Sequence, residues 1–203
     1  MKKARKSPKA CHPERSEGSQ SFKKQRKTTG ILRSAQNDKH GQSESWPLHF
    51  TLNGRKVSAN VRPTQTLLDF LRIEMGLTGT KGACLEGECG SCYVLVDGKP
   101  MNACLMLAPQ VQGREVTTIE GFARNKKLDV IQQKFVECGA VQCGYCTPGL
   151  IVAAKALLLD NPCPTREEFL VGMEGNICRC TGYSKILRAC ELAADEMGLK
   201  KTK

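Results

Sequence analysis

The chain has 203 residues, long enough for one large or two small domains with a sizeable core. Its formal net charge of +11 invites a nucleic-acid reading, but residues 1–46 hold twelve of the 31 Lys/Arg and four of the 20 Asp/Glu, a net of +8, which leaves +3 for residues 47–203 and no reason to expect a nucleic-acid partner there. The twelve cysteines would suit secreted disulfides, yet nothing reads as a secretory signal, and the longest apolar run, Leu150 to Leu159, is interrupted by Lys155 and too short for membrane insertion, so cysteines serving metal in a reducing, cytoplasmic setting are expected.

Residues 1–46 are rich in Lys, Arg, Ser and Gln without hydrophobic periodicity, the composition of a disordered extension. A basic arm or an organelle-type presequence would share that composition. The segments His12-Pro13-Glu14-Arg15-Ser16-Glu17-Gly18 and Leu32-Arg33-Ser34-Ala35-Gln36-Asn37-Asp38 resemble the conceptual translation of a repeat common in bacterial intergenic DNA. A start codon placed too far upstream is the expectation, and Cys11 and His12 carry no weight as ligands.

From Leu48 the texture changes. Leu48 to Leu52 alternates with period two, Asn53-Gly54 is a strong hairpin turn, and Lys56 to Val61 returns as the partner strand, ended by Pro63. Thr64 can cap a helix whose apolar face is Leu67, Leu68, Phe70, Leu71, Ile73 and Met75. After a cysteine-rich loop come the strand Tyr93 to Val96, the turn Asp97-Gly98, a short return strand into Cys104, and a last strand from Val116 to Ile119. A strand hairpin, one helix and further strands is the order of a β-grasp ferredoxin.

The loop is KGACLEGECGSCYVLVDGKPMNAC, from Lys81 to Cys104. Thiolates are the ligands iron–sulfur clusters take, and four of them complete two tetrahedral irons. Cys84, Cys89 and Cys92 stand in the plant-type 2Fe–2S spacing, with Cys104 to close the set. Gly82, Gly87 and Gly90 lie between and beside the ligands, where a loop folded tightly round an inorganic core needs positive φ angles. Zinc prefers paired Cys-x-x-Cys knuckles, which this stretch lacks.

Gly121 to Lys127 is polar and patternless, a linker, and beyond it the chain reads as helical. Leu128 to Phe135 opens one helix. Thr147-Pro148 caps a second, apolar nearly all round from Leu150 to Leu159 and therefore expected at the buried centre of its domain. Thr165 to Glu168 is a capping box for a third, and Thr181 begins a fourth whose face includes Ile186, Leu187, Ala189, Cys190, Ala193, Ala194 and Met197. Four such helices pack as a small bundle. Cys143 and Cys146 stand just ahead of one helix start, and Cys178 and Cys180 just ahead of another. Helix N-termini favour the negative charge of bound thiolates; spacing alone leaves both a 2Fe–2S cluster and a structural zinc open for this set.

The motifs Gly-Ala-Cys84 through Cys104, then Gln142-Cys143-Gly-Tyr-Cys146-Thr-Pro-Gly, then Gly-Asn-Ile-Cys178-Arg-Cys180-Thr-Gly-Tyr are similar to those of the small iron–sulfur subunit of the molybdenum hydroxylases, the family of xanthine dehydrogenase, aldehyde oxidoreductase and carbon monoxide dehydrogenase. The resemblance runs from about Leu48 to Met197. It implies two 2Fe–2S clusters, one on Cys84, Cys89, Cys92 and Cys104, the other on Cys143, Cys146, Cys178 and Cys180. Together with the changes of texture along the chain it leads to the expectation of an α+β chain: a disordered extension over 1–46, a β-grasp 2Fe–2S domain over 47–120, a linker over 121–127, an all-α four-helix 2Fe–2S domain over 128–199 and a tail over 200–203.

The same resemblance implies a partner large subunit that holds molybdopterin and does the substrate chemistry, and an FAD-binding medium subunit or other acceptor. Gln142 and Cys180 are the positions it sets against the pterin, a primary amide offering donor and acceptor to a mixed ring edge. Cys190 is expected as a buried small hydrophobe, Cys138 as structural, and Cys163 has no partner to name. The other class of function the motifs allow is a free ferredoxin-like carrier or redox sensor, against which the apolar load and the second domain argue. A chain begun near Pro47 should match the full chain in iron content and in assembly with its partner. Iron and co-purifying subunit measured on both forms check this.

Overall fold

A computed structural model describes residues 45–123, 125 and 127–201. Residues 1–44 of the expected extension, with Cys11, His12 and the repeat-like segments, lie outside the described residues, as do residues 202–203 of the expected tail.

Trp46–Leu52 (β1) and Arg55–Val61 (β2) form an antiparallel hairpin in register from Trp46 against Val61 to Leu52 against Arg55. Asn53 and Gly54 turn it with φ of 51° and 76°, the left-handed pair a tight hairpin needs. Leu48, Phe50 and Leu52 point inward. The helical segment that follows is shorter than expected. Leu67–Asp69 (α1) runs straight into a π-helical turn, Phe70–Glu74. Its cap is Thr66, whose hydroxyl accepts the Asp69 N–H at 3.1 Å; Thr64 lies too far upstream to reach that group. The wider turn changes the phase of the apolar face after Leu71, and Ile73, expected inside, is 76% exposed.

Tyr93–Val96 (β3) and Lys99–Asn102 (β4) form a second hairpin. After a 3-10 turn at Ala108–Val111, Glu115–Thr117 (β5) enters the sheet between β1 and β3, parallel to β1 and antiparallel to β3. The order is β2-β1-β5-β3-β4, a mixed sheet beside helices and so an α+β chain. The last strand ends at Thr117, two residues earlier than the sequence suggests. Ile119–Phe122 (α2) is a helical turn where a patternless linker was expected to begin, because Phe122 has an apolar ring to bury and does so in the helical core.

Four longer helices follow. Val130–Glu137 (α3) is capped by Asp129 in a reciprocal box with Gln132. Thr147–Asp160 (α4) has Cys146, not Thr147, at its cap position and Pro148 in its first turn. Arg166–Gly172 (α5) starts at the expected Thr165–Glu168 box. Ser184–Lys201 (α6) starts three residues after Thr181, since Tyr183 sits at φ 65° and no right-handed helix runs through that conformation. Among the described residues no helix is long and apolar enough to cross a membrane.

The run Val94-Leu95-Val96 explains how sheet and helices join. All three are buried, Val94 and Val96 in the sheet's own core and Leu95 in the core made by α3, α4 and α6. A strand covered on both faces reads as a continuous apolar run. α4 lies against β3, and its first turn touches the cysteine loop directly: a Cβ built on Gly149 would stand 2.1 Å from the Gly90 carbonyl oxygen. Gly149→Ala gains at most ~1 kcal/mol of helix propensity against overpacking of about 1–3 kcal/mol on a backbone atom that cannot swing aside. The variant should melt several degrees below the parent, read by calorimetry.

Candidate metal centres

The first cysteine loop hangs between the π-helical turn and β3. The Arg72 guanidinium holds its approach, donating to the carbonyls of Thr78 and Thr80 at 2.9 and 2.7 Å, and Lys81 N–H donates to Ser91 O at 3.2 Å. Gly87 and Gly90 have φ of 81° and 65°, as expected of glycines that wrap a core. Gly82 does not. Leu85 takes the left-handed conformation instead, at φ 60°, and turns the Glu86 N–H onto Cys84 Sγ at 3.5 Å. Cys104 comes from after β4, and the Leu68 N–H, donating to Ala103 O at 3.0 Å, fixes its loop to α1.

The electrostatics follow from those contacts. The backbone N–H of Glu86, then the Cys89 thiol and the N–H groups of Cys89 and Glu88, outweigh burial and bring Cys84 down to about 7. Successive N–H groups aimed at one point form an anion-holding concavity. Burial pushes Cys92 up to about 12, with Cys104 and Cys89 adding like charge. Ligation of such a thiol releases its proton, so metal binding and deprotonation are one event.

The second set comes from two turns. Cys143 and Cys146 lie between α3 and α4, with Gly144 at φ 80° between them. Cys178 and Cys180 lie between α5 and α6. Cys180 Sγ is 3.6 Å from Cys143 Sγ, and that neighbour is the main cause that raises its pKa. Burial, then the Cys178 thiol, pushes Cys146 up to about 12. Burial also acts on Cys178, but the Thr181 hydroxyl 3.0 Å from its sulfur, with the N–H groups of Thr181 and Cys180, prevails and lowers it.

Within each set the sulfurs are mutual neighbours: Cys89 acts on both Cys84 and Cys92, Cys104 on Cys92, and Cys143 and Cys178 each on both Cys146 and Cys180. Among the described residues no three His, Cys, Asp or Glu side chains are gathered as for one ion. Four soft thiolates in each set, with N–H donors facing sulfur, fit a two-iron cluster, which asks two protein ligands of each iron.

Residues 50–117 match a family model described as a 2Fe-2S iron-sulfur cluster binding domain, and residues 118–191 one described as a [2Fe-2S] binding domain. The nicotinate dehydrogenase small FeS subunit of Eubacterium barkeri is 51% identical over 148 residues, which cover 73% of this chain and 94% of the relative. The chain belongs to the iron–sulfur subunit family of the molybdenum hydroxylases. The xanthine dehydrogenase iron-sulfur-binding subunit of Escherichia coli O157:H7 is a further relative, 45% identical over 71% of this chain and 92% of its own length. Among solved structures, quinoline 2-oxidoreductase from Pseudomonas putida 86 superposes with a TM-score of 0.74 at 42% identity, over 77% of this chain and 98% of that one.

As a member of this family the chain carries two 2Fe–2S-binding domains. The remaining described cysteines stand apart from these sets. Cys138 caps the C-terminus of α3, Cys163 is exposed, and Cys190 is buried on α6 with its sulfur 3.9 Å from Met173 Sδ, where burial raises it to about 12. Gln142 is exposed beside the exposed Cys143 and Cys180 and has no hydrogen-bond partner among the described residues.

The residues missed by sequence reasoning are those that tie the two loops together. The Ile177 N–H donates to the Cys89 carbonyl, and the Asn176 side chain to the Gly90 carbonyl, each at 3.1 Å. The Tyr145 hydroxyl donates to the Gly82 carbonyl. Their only sequence signal is adjacency to ligands in the stretches Gly-Tyr-Cys146 and Gly-Asn-Ile-Cys178.

Proposed function

We propose that Cys84, Cys89, Cys92 and Cys104 hold one 2Fe–2S cluster on a β-grasp domain over residues 47–120, and that Cys143, Cys146, Cys178 and Cys180 hold the other on a four-helix domain over residues 128–199, joined by residues 121–127. The observation that carries this is the meeting of turns that lie 37 residues apart, where Cys180 Sγ stands 3.6 Å from Cys143 Sγ. On this assignment the chain is the electron-transfer subunit of a molybdenum hydroxylase. It takes electrons from a molybdopterin centre on a large subunit and delivers them to an FAD-binding medium subunit or another acceptor, in the cytoplasm. That relatives are named as subunits of larger enzymes supports this over a free carrier or sensor.

When bound, a 2Fe–2S cluster takes up and gives up one electron at a time. The chain's own residues do the rest. The backbone N–H groups of Glu86, Glu88 and Cys89 face the Cys84 sulfur and favour its charge. Cys146 stands at the N-cap position of α4, where a helix dipole would favour a bound thiolate. Burial of Cys92 and Cys178 keeps water from one side of each set, and the contacts between the loops hold the two centres at a fixed separation.

Gln142 and Cys180 form the edge that meets the pterin on this reading. What supports it is placement: Gln142 is exposed, with its amide unspent, and its neighbour Cys143 touches Cys180. An amide in that position donates and accepts at once.

Two measurements test the proposal. The purified chain should hold about four irons, two per cluster, and Cys89→Ser should abolish one of the two paramagnetic signals of the reduced protein while leaving the other. Zinc in anaerobically prepared protein would refute the assignment. Gln142→Leu should keep both clusters but slow reduction of the helical-domain cluster by substrate in the assembled complex roughly tenfold, the worth of one hydrogen bond of about 1.4 kcal/mol. An unaltered rate at unaltered cofactor content would remove Gln142 from the edge.

A further inference from the structure

Asn176 and Gly90 stand 86 positions apart in sequence, yet the two ligand loops meet there through consecutive carbonyls. The Ile177 N–H donates to Cys89 O at 3.1 Å. Ile177 directly precedes Cys178. The sulfurs of Cys89 and Cys178 are thus linked by a continuous run of covalent bonds interrupted by a single hydrogen bond. One residue along on each side, Asn176 Nδ2 donates to Gly90 O at 3.1 Å.

The segment that makes these contacts is itself held at both ends. Asn176 N–H donates to Met173 O at 3.0 Å. The Tyr183 hydroxyl donates to Asn176 O at 3.1 Å and accepts the Cys178 N–H at 2.7 Å. Opposite it there is no slack either. A Cβ at Gly90 would lie 2.1 Å from Asn176 Nδ2, and the Gly90 carbonyl is met from its other side by Gly149.

The choice of side chain is informative. Asn176 is 4% exposed, and its Oδ1 is buried with no partner among the described residues. A buried acceptor left unpaired costs stability, which an apolar side chain of similar size would avoid. What the amide alone supplies is its N–H on the Gly90 carbonyl. The halves are already joined by α4 on β3 and by Tyr145 on Gly82, so this bond places a loop rather than holding the fold.

We infer that Asn176 is a positioning residue for electron passage between the two centres, and that the passage crosses the Ile177 N–H···O=C Cys89 bond between Cys178 and Cys89; this rests on the ligand assignment proposed above. One electron passes from the Cys178 centre to the Cys89 centre. The first is oxidised by one electron, the second is reduced by one, and no bond or proton changes place.

The test uses the full chain carrying both clusters. Asn176→Leu should retain the iron and both paramagnetic signals, while electron equilibration between the centres after flash reduction slows on the order of tenfold to a hundredfold, the scale of a ~1 Å misplacement where geometry sets the rate. The magnetic splitting between the two reduced centres should weaken with it. Asn176→Asp, which keeps the shape and loses the donor, should share the defect. Unchanged rate and splitting in the leucine variant would overturn the inference.

Should that variant lose a cluster, the unaltered chain carries the test. With 15N-isoleucine, one amide nitrogen should couple to both reduced centres, and Ile177→Val should remove that coupling; coupling at one centre alone overturns the route. A parent chain that lacks iron or one of the two signals would instead refute the ligand assignment.

Discussion

Two adjacent carbonyls, those of Cys89 and Gly90, are where the halves of this protein are keyed together. Each accepts one N–H from the Asn176–Ile177 step, and the glycine between strand and loop is there because a Cβ would displace the amide that meets it. Each cysteine loop lies beside a cysteine of the other set at that point. The separation of the two cysteine sets is then a property of these two hydrogen bonds rather than of a linker, and the patternless stretch after Phe122 has little say in it.

Packing supports the same arrangement. β3 contributes Val94 and Val96 to the sheet core and Leu95 to the helical core, so a three-residue apolar run belongs to two cores at once. α4 is buried on nearly every side because it lies between that strand and the other helices, with Gly149 at its start pressed against the loop. Relative motion of sheet and helices would expose both cores together.

The two sets hold negative charge by different means. At Cys84 it is a ring of backbone N–H groups, made possible by left-handed Leu85 and Gly87. At Cys178 the next helix starts only at Ser184, too far for its dipole to act alone, and the Thr181 hydroxyl takes that part. Buried Cys92 and half-buried Cys146, by contrast, favour the neutral thiol until a metal replaces the proton.

The sequence by itself determined the local elements. The alternation of Leu48 to Leu52, the Asn53-Gly54 turn, the Thr165 box and both cysteine spacings are short-range patterns, each fixed by a few neighbouring residues, and all are present in the structure. Tertiary contact decided the rest. The helical face ended at Leu71 and left Ile73 outside because a π-helical turn shifted its phase. Phe122 drew a supposed linker into a helical turn by burying its ring. That Cys180 meets Cys143, and that Asn176 reaches Gly90, depend on residues 37 and 86 positions apart. No local periodicity encodes such distances; they exist only once two cores sharing β3 have closed.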